Sequence, residues 1–245
     1  MNWISKNSLK NNQTNIIIIT IFNVIITILF YLFYLKLIKP AINTTQVLPD
    51  SHWFNSIILI VPITLIYYLT AQIISSEYWG NKNAEYIKTL SEVSYLYYIR
   101  KVLNLELILV LQSLLTIILS LFLITPEINY FTLLLYIFYI IFAGIFFINL
   151  GCIMGFFSKK STLKGQGIGL IIIMLFLIGG FGIAVNHHQI LGGVIKYLPT
   201  SIVLSGGAAI LKPEFGSFLI PFIYILVLNI VTIFITYFIL NKNDY

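Results

Sequence analysis

The sequence predicts an all-α integral membrane protein with six transmembrane helices. Of its 245 residues, 59% are hydrophobic and only 9% are charged, a balance that does not suit a surface exposed to water. Apolar runs of about 20 residues recur along the chain, and each is long enough to cross a hydrocarbon core about 30 Å thick. The residues between these runs are polar or rich in turn formers, and one of these segments is itself amphipathic.

Six runs have the length of a span, and together they predict a single transmembrane domain over residues 1–245. They cover residues 16–37, 56–74, 103–124, 131–157, 167–185 and 218–240. The first run is too long for a signal-peptide core and no small-residue cleavage pattern follows it. We therefore expect it to remain in the mature protein.

The distribution of Lys and Arg predicts that both termini are cytoplasmic. Short cytoplasmic loops collect these residues. With the termini inside, ten of the 14 basic residues lie in the cytoplasm: Lys6, Lys10, Lys82, Lys88, Arg100, Lys101, Lys159, Lys160, Lys164 and Lys242. The other four lie outside: Lys36, Lys39, Lys196 and Lys212. Membrane topology thus accounts for the net charge of +6. The sequence has no basic patch interleaved with aromatic residues, so it does not predict a nucleic-acid partner.

The long polar segment at residues 75–101 predicts an amphipathic helix on the cytoplasmic surface, between the second and third spans. Its apolar side chains recur at helical spacing: Ala84, Ile87 and Leu90. Charged side chains fall on the opposite face: Lys82, Glu85 and Lys88. Such a helix either packs its apolar face on a partner protein or lies on the bilayer surface without one.

A second unusual segment, residues 186–217, predicts a broken apolar hairpin between the fifth and sixth spans. Glycines and prolines divide it into apolar runs that are too short to cross a bilayer. Runs of this length predict re-entrant or interfacial helices, which protein or a wet cavity must cover.

The sequence lacks the common catalytic and metal-binding motifs, which predicts that the chain is not an enzyme. Its single cysteine, Cys152, excludes a thiolate cluster or an internal disulfide. His187 and His188 are adjacent and cannot share a helix face as the histidines of an HExxH motif do. No GxxxxGK[ST] phosphate loop occurs, so the chain cannot hydrolyse ATP alone, and we expect no cofactor or metal bound by it.

Polar residues inside the predicted spans are candidates for a path or gate. Glu106 near the start of the third span is either an interfacial carboxylate, stabilised by the helix end and by Arg100 or Lys101, or a substrate or proton site. Asn23 and Asn149, like Gln112 and Asn229, either join helices through hydrogen bonds or line a path.

The topology and a few local residues resemble the membrane subunit, or permease, of ABC-2 type exporters. The matching features are a glutamate after the second span, a glycine three residues later, an amphipathic stretch over residues 84–96 and basic residues before the third span: Glu77, Gly80, Arg100 and Lys101. The turn Leu198-Pro199-Thr200 with its short helix resembles that family's extracellular hairpin. The resemblance implies that residues 75–101 form the coupling helix that docks on an ATPase, and that Pro199 lies near an external gate.

The resemblance implies a permease that dimerises with itself or a sibling and is driven by separate ATP-binding cassette subunits, which supply ATP and magnesium. An apolar interior rich in aromatics favours an amphipathic peptide as cargo, either a toxin for export or an antimicrobial peptide removed for immunity. Alternatives are export of drugs, lipids or polysaccharide, and a membrane protein without transport activity, such as a sensor partner or an intramembrane enzyme. Heavy use of Ile, Asn, Lys and Tyr points to a bacterial cell membrane.

Overall fold

The computed structural model describes residues 2–33, 35–36, 50–80, 91–124, 129–157, 197–211 and 215–242. In these ranges the chain forms helices and no strand. The six main helices are α1 (Asn2–Phe33), α2 (Asp50–Gly80), α3 (Ser91–Ile124), α4 (Tyr130–Phe157), α5 (Pro199–Leu211) and α6 (Phe215–Lys242).

Five of the six are long and apolar enough to cross a membrane. Their apolar stretches are Ile16–Phe33, Phe54–Glu77, Tyr98–Phe122, Tyr130–Phe157 and Phe218–Leu240. They overlap five of the six spans predicted from the sequence; the other predicted span, 167–185, lies outside the described residues. The five apolar helices indicate a multi-pass membrane protein.

Helix α2 is the centre of the bundle and packs against α1, α3, α4 and α5. Buried residues make up 78% of its apolar stretch, against 17% in α1 and 22% in α6. Such burial requires a helix that is apolar all round, and α2 has hydrophobic side chains from Ile57 to Ile63 on every face. Helices α1 and α6 instead expose rows of large apolar side chains, as helices facing lipid do.

Helices α2 and α4 run parallel at close range because glycines on α4 face α2. A Cβ at Gly151 would lie 2.8 Å from the Tyr67 carbonyl oxygen, and one at Gly155 would lie 2.9 Å from that of Ala71. These two glycines thus allow the backbones of the two helices to approach closely.

The two ends of the bundle are named here by residues of α2. The Asn55 end holds the start of α2 and α4, and the Glu77 end holds their last turns, about 33 Å away at 1.5 Å per residue. Helix α3 is antiparallel to α2, since Lys101 near its start contacts Glu77. Helix α5 lies at the Asn55 end, where Asn55 contacts its Leu204.

Two helix boundaries differ from the sequence prediction. Helix α2 continues to Gly80, and α3 already begins at Ser91, so the described parts of the predicted segment 75–101 belong to these two long helices. Arg100 and Lys101 therefore lie about three turns inside α3, close to Tyr98, where its apolar stretch begins. Glu106 lies 15 residues after the start of α3 and eight residues after Tyr98, where the apolar stretch of this helix begins.

Candidate functional site

A buried ion pair joins α2 to α3 at the Glu77 end of the bundle. The Lys101 ammonium donates to Oε1 of Glu77 across 2.6 Å, and the two side chains are only 9% and 11% exposed. Burial of two opposite charges at contact distance is tolerable because each compensates the other. The pair also closes a loop, since its members are 24 residues apart in the chain.

A second polar contact at this end joins α3 to α4. The Tyr98 hydroxyl donates to Oδ1 of Asn149, and both residues are buried. Tyr98 lies one turn before Lys101 on α3, so this part of α3 is held to α2 and to α4 within one turn. The sequence prediction that Asn149 joins helices is confirmed.

Glu106 lies deeper, where α3 crosses α4. Its side chain is buried, neither carboxylate oxygen has a hydrogen-bond partner, and Lys101 is engaged by Glu77 instead. Glu106 packs against Gly144: a Cβ there would lie 3.1 Å from Oε1 and 3.4 Å from Oε2. The positive end of the helix dipole does not stabilise the Glu106 carboxylate as expected, because the N-terminus of α3 is about four turns away.

Other buried polar groups of α3 also lack partners. The hydroxyls of Ser113 and Ser120 and both amide atoms of Gln112 are buried without a hydrogen bond. Ser113 and Ser120 follow Glu106 at intervals of seven residues, about two turns, and so share its helix face. Of the two roles predicted for Gln112, its side chain makes no hydrogen bond that would join helices.

Asn23 of α1 is satisfied, in contrast. Its Nδ2 donates to the Gln112 carbonyl oxygen at 3.1 Å and to Oγ1 of Thr116 at 3.0 Å. These contacts hold α1 on α3, as the sequence predicts. Asn229 does the same between α6 and α4, where its Nδ2 donates to the Phe142 carbonyl oxygen at 3.0 Å.

The Asn55 end carries a polar clamp made of Asn55, Tyr136 and Tyr139. Nδ2 of Asn55 donates to the Leu204 carbonyl oxygen at 2.8 Å, and the Tyr136 hydroxyl donates to Oδ1 of Asn55 at 2.6 Å. The Tyr139 hydroxyl donates to the Val203 carbonyl oxygen at 2.8 Å. The clamp fixes α5 against α2 and α4.

Two glycines of α5 allow this close approach. A Cβ at Gly206 would lie 2.2 Å from the Tyr139 hydroxyl, and one at Gly207 would lie 2.4 Å from Oδ1 of Asn55. Pro199 occupies the first position of α5, where a missing N–H is not lost to the helix. The short helix predicted after Pro199 is present.

An apolar cavity of about 350 Å³ lies between α4, α5 and α6. Aromatic rings form much of its wall, among them the stacked pair Phe142 and Phe222, whose centroids are 4.6 Å apart. Its lining residues are Leu135, Phe138, Tyr139, Phe142, Ala209, Ile210, Phe218 and Phe222. Such a cavity can take an aliphatic or aromatic group.

The predicted coupling residues are only partly visible. Lys82, Ala84, Glu85, Ile87, Lys88 and Leu90 lie outside the described residues. Gly80 ends α2, and Arg100 is exposed on α3. The structure brings Glu77 and Lys101 together but places Glu106 and Asn23 elsewhere on α3 and α1.

Sequence reasoning missed Asn55, Tyr136 and Tyr139. The available signal was a tyrosine inside an apolar run, because a buried tyrosine hydroxyl usually finds a hydrogen-bond partner.

Among the side chains described, no group of three or more His, Cys, Asp or Glu residues could hold a metal ion. Comparison with protein-family models, curated proteins and solved structures gives no match to this chain.

Proposed function

We propose that this chain is the permease subunit of an ABC exporter in a bacterial cell membrane, powered by separate ATP-binding cassette subunits. The observation that carries the proposal is the buried contact between Glu77 and Lys101. It holds together the two helices that leave and re-enter the predicted coupling segment. Motion imposed on that segment by an ATPase would therefore reach α2, the central helix, directly.

The proposal includes six crossings with both termini in the cytoplasm. Helix α4 ends at the Glu77 end, whereas α5 lies at the Asn55 end and Asn229 of α6 contacts Phe142 of α4. The apolar run 167–185 lies outside the described residues, and we take it as the sixth crossing because it has the length to span a bilayer. The Glu77 end is then cytoplasmic, and the Asn55 end with its clamp is external.

An amphipathic peptide is the cargo that the interior favours. The cavity between α4, α5 and α6 is apolar and aromatic, so it suits the apolar face of such a peptide better than a sugar or an ion. It also adjoins α5, the helix that follows the proposed gate residue Pro199.

Co-purification tests the proposal. Tagged full-length chain, extracted from its native membranes in mild detergent, is expected to carry an ATP-binding cassette subunit, identified by mass spectrometry, and to hydrolyse ATP. The double variant Ile87→Asp and Leu90→Asp should lose both. The matched control, Glu85→Gln with Lys88→Gln on the predicted polar face, should retain the complex. If the Ile87→Asp, Leu90→Asp variant keeps the complex and the Glu85→Gln, Lys88→Gln variant loses it, the coupling assignment is contradicted.

A charge exchange tests the ion pair itself. Glu77→Lys or Lys101→Glu alone places two like charges in contact and should uncouple ATP hydrolysis from the membrane subunit. The double exchange restores an opposite-charge pair and should recover at least part of the ATPase stimulation. If the single variants stimulate the ATPase as the unmodified chain does, the pair has no part in coupling.

A further inference from the structure

The unpartnered polar groups of α3 are distributed along the membrane rather than gathered at one depth. They begin beyond the ion pair of Lys101 and include Glu106, Ser113 and Ser120. From Glu106 to Ser120 the helix rises about 21 Å, about two thirds of a hydrocarbon core roughly 30 Å thick. Glu106, Ser113 and Ser120 are called the α3 polar column below.

Burial of these polar groups without water or another hydrogen-bond partner would destabilise the protein. A buried polar group without a hydrogen bond costs about 1–3 kcal/mol, and an ionisable group inside a membrane costs more and usually marks a functional path. The same chain satisfies Asn23, Asn55 and Tyr136 with partners from neighbouring helices. Single buried polar atoms without a partner also occur on other helices, but three such side chains, Glu106, Ser113 and Ser120, follow one another on one face of α3.

The chemistry of the column favours protons. A carboxyl group takes up and releases a proton, and a serine hydroxyl both donates and accepts hydrogen bonds. Successive groups from Glu106 onward are about 10 Å apart along the helix, a gap that about three water molecules at about 2.8 Å spacing would bridge.

We propose that the α3 polar column conducts protons across the bundle and that Glu106 is its proton-exchanging group. Hydronium at the Glu77 end gives its proton to the Glu106 carboxylate and leaves water. The carboxylic acid then passes the proton towards Ser113 and Ser120, and water at the Asn55 end receives it as hydronium. The proposal does not depend on an ATPase partner.

The helices packed around α3 carry few competing groups among the described side chains. Their titratable residues are Tyr31 of α1, Tyr67, Tyr68 and Glu77 of α2, Tyr130, Tyr136, Tyr139 and Cys152 of α4, and Tyr224 and Tyr237 of α6. Of these, Glu77 is the carboxylate, and it is paired with Lys101. Glu106 is thus the carboxylate best placed to carry a proton through the interior.

Proton flux into liposomes gives the direct test. Full-length chain is reconstituted with an internal pH-sensitive dye, and a potassium gradient with valinomycin supplies the potential. Acidification should exceed that of protein-free liposomes, and Glu106→Gln should reduce it to the protein-free rate. Glu106→Asp, which keeps the carboxyl, should retain an intermediate rate, and the exposed control Gln72→Ala the full rate.

Labelling with dicyclohexylcarbodiimide, which adds to protonated carboxyl groups in apolar surroundings, gives an independent readout. Mass spectrometry should find the adduct on the Glu106 peptide, less of it as the pH of the reaction rises, and none on Glu77. Thermal unfolding of each variant distinguishes loss of function from loss of fold.

Three results would overturn the proposal. They are a wild-type flux no greater than in protein-free liposomes, a Glu106→Gln flux equal to wild type, and a flux that disappears when sodium is replaced by choline. The last would assign the column to sodium ions.

Discussion

The clamp at the Asn55 end and the polar column of α3 use similar side chains in opposite ways. In the clamp, Asn55, Tyr136 and Tyr139 all make hydrogen bonds to neighbouring helices. In the column, Glu106 and Ser113 are as deeply buried but make none. A satisfied polar network rigidifies a structure, whereas unsatisfied buried groups in a native protein need a functional explanation. The difference separates residues that hold the bundle together from residues available for transport.

Removal of the clamp should give the largest loss of stability. Asn55→Ala removes the donor to the Leu204 carbonyl oxygen and leaves the Tyr136 hydroxyl only its longer contact, 3.3 Å, to the backbone carbonyl oxygen of residue 55; loss of buried hydrogen bonds of this kind costs about 1–3 kcal/mol. We expect the free energy of unfolding, measured by SDS titration in mixed micelles, to fall by about 3 kcal/mol in total.

The control for this variant is Gln72→Ala, which removes an exposed side chain from the same helix. Its effect should stay within about 0.5 kcal/mol. Equal losses in the two variants would contradict the structural role of the clamp.

Close packing at α5 should give the next largest effect. In Gly207→Ala the new methyl group would lie 2.4 Å from Oδ1 of Asn55 and 2.7 Å from Cδ1 of Leu59, so the helices must separate. Overpacking of this kind costs about 1–3 kcal/mol, and we expect about 2 kcal/mol by the same titration. Ser205→Ala, at an exposed position of α5, is the matched control and should be nearly neutral.

The membrane spans could be predicted from the sequence, but one of the helix ends could not. Hydropathy places five of the spans because apolar length alone determines them. Hydropathy ends the second span at Ile74, although α2 continues to Gly80. The burial of the Glu77 carboxylate in α2 depends on its ion pair with Lys101, which is 24 residues away in the chain. Local patterns carry no information on such a contact.

The candidate site was recovered in part for the same reason. Glu106 is conspicuous in sequence as a carboxylate within an apolar run, but its depth and its lack of a partner depend on where α3 begins and on how α4 packs at Gly144. Asn55 and the two clamp tyrosines lack any distinctive pattern. Only the packing of α5 on α2 and α4 shows what they bind.

A matched pair of substitutions sharpens the comparison. Glu106→Met removes a buried carboxyl that has no partner, so it should stabilise the protein, by about 1 kcal/mol, since replacing buried ionic groups by apolar ones is often favourable. Glu77→Met removes the same group but leaves the buried Lys101 uncompensated, and should destabilise. Opposite signs in SDS titration, with proton flux lost in Glu106→Met, are the expected result. Destabilisation by both variants would indicate that Glu106 has a structural role.

Ser113→Ala should have the smallest effect on stability and is the most selective test of the column. Its hydroxyl makes no hydrogen bond, so its removal breaks no contact, and we expect a change in the free energy of unfolding within about 0.5 kcal/mol. A hydroxyl that relays protons should nevertheless matter for flux, because water alone must then bridge about 21 Å of helix between Glu106 and Ser120. Slower proton flux with unchanged stability is therefore the expected outcome, with Ser205→Ala as the control that changes neither. Unchanged flux in Ser113→Ala would restrict the proton-carrying role to Glu106, because the path would then not pass this hydroxyl.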